Sequence, residues 1–144
     1  MPAPGGVPEL AVGAVAVRAR ELLLVRRGHG PAQGCWSVPG GRVQFGEDLR
    51  EAVVRELFEE TGLEGVVSRF LGWVERIGSD PEPYHFVILD FVVDVLDPGT
   101  PVAGDDAAEA AWFRFDELSE LVLVDGLYDF LTEHAVLTDV ELEL

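Results

Sequence analysis

The stretch Tyr84–Val95 reads YHFVILDFVVDV, and from Phe86 onward its apolar run is interrupted only by Asp90 and Asp94. A strand with one wet face alternates apolar and polar residues, whereas a nearly unbroken run is what a strand covered on both faces requires. This segment therefore demands a layer of structure on each side of it. Leu10–Val17 and Glu21–Arg26 are rich in Val, Ala and Leu and are separated by a short charged turn, so they read as a hairpin-like strand pair. Val66–Ile77 and Ala110–Phe115 supply further strands. Helical patterns cover Asp48–Leu63, Asp116–Leu121 and Gly126–Ala135, the last with Leu127, Phe130 and Leu131 on one stripe. Strands interleaved with helices around a doubly covered strand predict an α/β fold, an α/β/α sandwich around a mixed β-sheet. Gly28–Gly41, GHGPAQGCWSVPGG, is dense in Gly and Pro and is expected to be a long irregular loop, the kind that often carries function. The tail, about residues 136–144, is expected to fray.

With 144 residues, 48% hydrophobic and 26% charged, the chain fits one domain spanning 1–144, with a core that needs no disulfide. Cys35 is the single cysteine, so no intrachain disulfide can form and a cytoplasmic location is expected. No apolar run approaches the roughly 20 residues of a bilayer span, and MPAPGGVPEL lacks the charge pattern of a secretory signal, so no membrane partner is expected.

The net charge of −17 is unevenly placed: residues 1–76 hold nine of the ten arginines and ten acids, while residues 77–144 hold Arg114 and seventeen acids. Such a surface repels polyanions, which argues against nucleic acid as a partner. A small anionic substrate is still compatible if a divalent cation supplies the positive charge.

The segment from Asp48 to Leu63 is the most informative. Asp48 and Glu51 have the spacing of a capping box, and Gly62 followed by Leu63 marks the helix end. At 100° per residue Leu49, Ala52, Val53 and Leu57 form an apolar stripe, and Glu56 and Glu60 fall within it, with Glu59 on its flank. Carboxylates on an inward azimuth lose hydration, and near the helix C-terminus they also oppose the dipole. Arg55 alone cannot balance three of them. Spacing leaves two readings open: a site for a hard divalent cation, whose oxygen ligands converge within roughly 2.0 to 2.6 Å, or a solvated acidic face.

The stretch Gly41–Leu63, GRVQFGEDLREAVVRELFEETGL, resembles the signature of the Nudix hydrolases at every fixed position: Gly41, Glu47, Arg55, Glu56, Leu57, Glu59, Glu60, Gly62 and Leu63. The preceding WSVPG and the later AGDDAAEAAWFRFDEL are also similar to that family, and Gln44 stands where many members carry Glu. The resemblance implies a Mg²⁺- or Mn²⁺-dependent enzyme that hydrolyses a pyrophosphate in a nucleoside diphosphate linked to another group. ADP-ribose or a related nucleotide sugar is the leading expectation. A house-cleaning hydrolase of oxidised or non-standard dNTPs is the alternative, and a non-catalytic nucleotide-sensing domain is a second.

By the same resemblance Glu56 and Glu60 would be the principal metal ligands together with the Gly40 carbonyl, Glu59 would serve a second ion, and Arg55 and Glu47 would orient the carboxylates. The general base is left open among Glu109, Asp106 and Glu59. Arg26 and Arg27, at a strand end before the Gly-rich loop, are candidates to clamp phosphate, since guanidinium forks fit phosphate oxygens. Trp73 and Tyr84 are candidates to stack on a nucleobase, although aromatics in strands are usually core. Asp90 is expected to be either a buried, hydrogen-bonded acid or an outward-facing one. The expected partner is a small nucleotide, and a homodimer is left open.

Overall fold

The structure, a computed structural model, describes residues 6–30, 32–96 and 99–138. Its elements in chain order are β1 (Glu9–Arg18), β2 (Glu21–Arg27), β3 (Trp36–Ser37), β4 (Gly40–Arg42), α1 (Leu49–Thr61), β5 (Gly65–Gly78), β6 (Tyr84–Val95), β7 (Ala107–Arg114), a 3₁₀ helix (Phe115–Glu120) and α2 (Leu127–Glu133). β1 and β2 form a hairpin closed by Ala19 and Arg20, both at positive φ (49° and 62°), the backbone shape that matches the twist of the flanking strands. Only Val17↔Leu22 and Arg18↔Glu21 pair across it. Beyond those rungs the strands part. The rest of that edge of β1 is taken by β4, through Ala11↔Arg42, Val12↔Gly41 and Gly13↔Gly40. β2 turns instead to β3 and β7. The opposite edge of β1 pairs in parallel with β6 along Glu9–Ala16, and β6 pairs antiparallel with β5, so the sheet is mixed.

Alternation along the strands divides the interior into two cores. On one face Val12, Ala14, Ala16 and Leu23 meet Ala52, Val53 and Leu57 of α1. On the other Val15, Leu22 and Leu24 meet Leu118, Leu127, Phe130 and Leu131. This is the expected sandwich: α1 covers one face, and the 3₁₀ helix and α2 cover the other. Full burial of a leucine such as Leu57 is worth roughly 2 kcal/mol, and truncation to Ala would cost about 2–5 kcal/mol because a cavity remains.

Two expectations need correction. The Gly28–Gly41 loop is not wholly irregular, because Trp36–Ser37 pairs with β2 and Gly40 begins β4. The last strand starts at Ala107, where Arg27 still offers it a partner, and it ends at Arg114. The helical reading of Asp116–Leu121 is met by the 3₁₀ helix Phe115–Glu120. Just after α2 the Val136 N–H donates to the Leu131 carbonyl at 2.8 Å. Residues 139–144 of the tail lie outside the described residues.

Candidate active site

α1 begins as its capping box requires. Asp48 accepts from the N–H groups of Arg50 and Glu51 at 2.8 and 3.1 Å, and the Glu51 carboxylate accepts from the Asp48 N–H at 3.0 Å. It ends at Gly62 in the left-handed region, φ 73°, where the Gly62 N–H bonds the Phe58 carbonyl. The next orphan carbonyls are met by the loop before β7: Val102 N–H donates to Thr61 at 2.8 Å and Gly104 N–H to Glu60 at 3.2 Å. A side chain at Gly104 would collide with the Glu59 carbonyl, so glycine permits this approach. The loop then presents Asp105, at φ 53°, to the carboxylate face of the helix.

Glu56 and Glu60 are buried, at 7% and 8% exposure, while Glu59 lies on the exposed flank. Glu60 Oε1 accepts from the Gly40 N–H at 3.0 Å. The Glu56 carboxylate lies over Gly41, where any Cβ would overlap it. Oxygens of Glu56, Glu59 and Asp105 all fall within 4.8 Å of one another.

Arg55 ties the cluster together. Its Nε and Nη2 grip Glu47 at 2.7 and 2.9 Å, Nη1 reaches Glu59 at 3.1 Å and Glu56 at 3.3 Å, and Nη2 also donates to the Arg42 carbonyl at 3.0 Å. This bidentate grip holds the Glu47 carboxyl below the usual range and raises the pKa of Arg55. The inner acids shift the other way. Burial raises Glu56, and burial, reinforced by the Glu56 charge, pushes Glu60 up to about 8 against the opposing Gly40 hydrogen bond. One guanidinium therefore serves three carboxylates, and the inner pair is short of positive charge. A divalent cation with oxygen ligands at roughly 2.0–2.6 Å fits that donor set.

The cluster stands at a cleft of about 670 Å³ that opens where β1 and β2 diverge. Of the residues singled out in the sequence, Gly40, Arg55, Glu56, Glu59, Glu60, Arg27, Asp106 and Tyr84 line it. Glu47 does not line the cleft and stands behind Arg55. Arg26 and Glu109 also lie off the cleft and pair with each other at 2.6 Å, because their positions face across the β2–β7 ladder. Trp73, on edge strand β5, is 59% exposed and outside the cleft. Asp106 lies 3.5 Å from His29. Sequence reasoning passed over Asp105 in favour of its neighbour Asp106; nothing in residue spacing separates two adjacent acids whose order depends on one left-handed residue. Asp90 is buried, at 4% exposure, as one of its two expectations had it, but its Oδ1 has no hydrogen-bond partner among the described residues.

The NUDIX domain model matches residues 7–133, and the chain belongs to that family. It is 40% identical over 114 residues to the ADP-ribose pyrophosphatase of Methanocaldococcus jannaschii, covering 79% of this chain and 66% of that protein. It is 31% identical over 129 residues to the NAD-capped RNA hydrolase NudC of Edwardsiella ictaluri, covering 85% of this chain. The chain thus spans less than two thirds of the first relative's length and 46% of the second's. Its fold superposes on the crystal structure of the MutT NUDIX hydrolase from Burkholderia pseudomallei with a TM-score of 0.77, at 29% identity, covering 88% of this chain and 97% of that one. No helix among the described residues is long and apolar enough to cross a membrane.

Proposed function

We propose that the chain is a divalent-metal-dependent pyrophosphohydrolase acting on a nucleoside diphosphate linked to another group, with ADP-ribose or a related nucleotide sugar as substrate. The observation that carries this reading is the convergence of Glu56, Glu59 and Asp105 beside a cleft large enough for a nucleotide. The likeness to an ADP-ribose pyrophosphatase supports the substrate. Glu56, Glu59 and Asp105 would hold Mg²⁺ or Mn²⁺, with Glu60 and the Gly40 carbonyl beside them. When bound, the ion would neutralise the diphosphate and stabilise the leaving phosphate of an in-line displacement. Arg55 fixes the orientation of Glu56 and Glu59, and Glu47 fixes Arg55. Arg27 lines the cleft as a phosphate partner. For the general base, Glu59 and Asp106 face the cleft, whereas Glu109 is engaged by Arg26.

The test is a panel of ADP-ribose, other nucleotide sugars, dinucleoside polyphosphates and dNTPs with Mg²⁺ or Mn²⁺, scored by product. ADP-ribose should give AMP and ribose 5-phosphate with the highest kcat/KM, and activity should vanish in chelator. An oxidised dNTP winning by tenfold, roughly 1.4 kcal/mol of transition-state stabilisation, would replace the substrate reading. Full turnover in excess chelator would remove the metal.

A further inference from the structure

Asp90 occupies a central position on β6 with a glycine on either side, Gly13 of β1 and Gly72 of β5. The two glycines clear different space. Beside Gly72 the room is filled by His134 and the Phe130 ring of the α2 layer. Over Gly13 it is filled by the Asp90 carboxyl itself, since any Cβ at Gly13 would overlap Oδ1. The fold thus makes a place for a carboxyl group in the middle of a largely apolar strand, and no described residue donates a hydrogen bond to its Oδ1. Arg76 is the cation whose field reaches Asp90, but its Nη2 donates to the Asp125 carbonyl at 2.6 Å, and it forms no ion pair with Asp90 within 4.0 Å. An unsatisfied buried acceptor is costly, and natural interiors rarely keep one without a use.

Asp90 lines the cleft, which answers what the use is. The apolar part of the lining comes from Val74, Phe86, Ile88, Leu127 and Phe130, the kind of aliphatic and aromatic surface against which a heteroaromatic ring is buried. The ladder sets the span: Gly13 pairs with Asp90 on one side and with Gly40 on the other, so Asp90 lies two inter-strand spacings, roughly 10 Å, from the strand that meets Glu60. A nucleoside can bridge that distance with its phosphate at the carboxylate cluster.

We propose that Asp90 is a specificity-determining residue that accepts a hydrogen bond from an exocyclic amine on the nucleobase of the substrate. This rests on the nucleotide reading of the cleft given above. Burial pushes the Asp90 carboxyl up to about 7, consistent with an acid waiting for a donor. Neither protonation state is required, because a carboxyl and a carboxylate both accept from an amine.

The test is calorimetric binding, with Mg²⁺ present, of three probes: AMP, purine riboside 5′-monophosphate, which lacks the exocyclic amine, and ribose 5-phosphate, which lacks the base. The parent should bind AMP at least tenfold tighter than purine riboside 5′-monophosphate, and the latter tighter than ribose 5-phosphate. Asp90→Ala should erase the preference for AMP while leaving purine riboside 5′-monophosphate within about twofold of the parent. Asp90→Asn, which keeps an acceptor, should restore most of the preference, and Asp90→Val serves as the apolar variant if alanine does not fold. Equal binding of AMP and purine riboside 5′-monophosphate by the parent overturns the proposal. So does a variant that weakens all three probes alike, or one that keeps the preference. Turnover of ADP-ribose by the parent, scored separately, judges the proposed function, while the binding arms judge the subsite even in a chain that hydrolyses nothing.

Discussion

Glu60→Gln in the metal-free protein separates a buried ligand from a surface acid by the sign of its effect on stability. Gln keeps the side-chain shape and an oxygen for the Gly40 N–H, but it removes the ionisation that burial opposes. Burial raises the folded-state pKa from 4.5 to about 8, so between those values the folded protein holds more protons than the unfolded one. Stability in this group is therefore fully present below 4.5 and is lost as pH rises toward 8. At about 1.36 kcal/mol per pKa unit the penalty is below ~1 kcal/mol at pH 5 and about 3 kcal/mol at pH 7. The variant should come within about 1 kcal/mol of the parent near pH 5 and exceed it by roughly 3–4 kcal/mol at pH 7–8, a rise in Tm of about ten degrees for a domain of this size. Urea melts in excess chelator at pH 5 and pH 8 read this directly. Saturating Mg²⁺ at pH 8 should reverse the order, because only the parent keeps the full anionic ligand set, and turnover by the variant should fall by orders of magnitude. A stability difference that is the same at both pH values would show that the Glu60 carboxyl ionises without hindrance, and the reasoning would fail.

Gly41→Ala should lower Mg²⁺ affinity at least tenfold, measured by calorimetry, because its Cβ overlaps the Glu56 carboxylate and forces it aside. Arg55→Ala should destabilise the chelated protein by about 3 kcal/mol in denaturant melts, since it leaves Glu47 unpaired and the inner acids without their cation. Asp48→Ala should cost about 1 kcal/mol through loss of the capping box while kcat stays within twofold, as seen in paired melts and assays. Asp105→Asn should weaken Mg²⁺ binding, and Asp106→Asn should not; equal effects would refute the grouping of Asp105 with Glu56 and Glu59.

Local rules made α1 legible almost to the residue. Asp48, Glu51 and Gly62 mark its ends by hydrogen-bonding demands internal to the segment, and the 100° periodicity puts Glu56 and Glu60 on the face that the structure buries. The apolar run of β6 was legible only in part: Phe91 and Val93 are buried, but Phe86 and Ile88 are half-buried because that stretch walls the cleft. The signature then located the carboxylate cluster, but only on the helix itself. The fourth acid escaped because Asp105 reaches the cluster through two backbone bonds from its loop to the end of α1, and no pattern of residue types encodes those bonds. Arg26, Glu109 and Trp73 failed to reach the cleft for a reason of register: a shift of one residue along a strand moves a side chain to the other face. Arg27 lines the cleft and Arg26 does not.

The parting of β1 and β2 after two rungs means that the two walls of the cleft are held by separate backbone ladders, each saturated by its own partners. Collapse of the walls onto one another would break strand pairing on both sides and recover little in exchange, so the opening belongs to the fold and does not await a ligand. The conformational entropy of shaping the cleft is lost when the chain folds, and an incoming ligand has to order mainly itself and the side chains it touches. Recognition should therefore proceed with small backbone displacement in the strands, with adaptation confined to the loops at the rim.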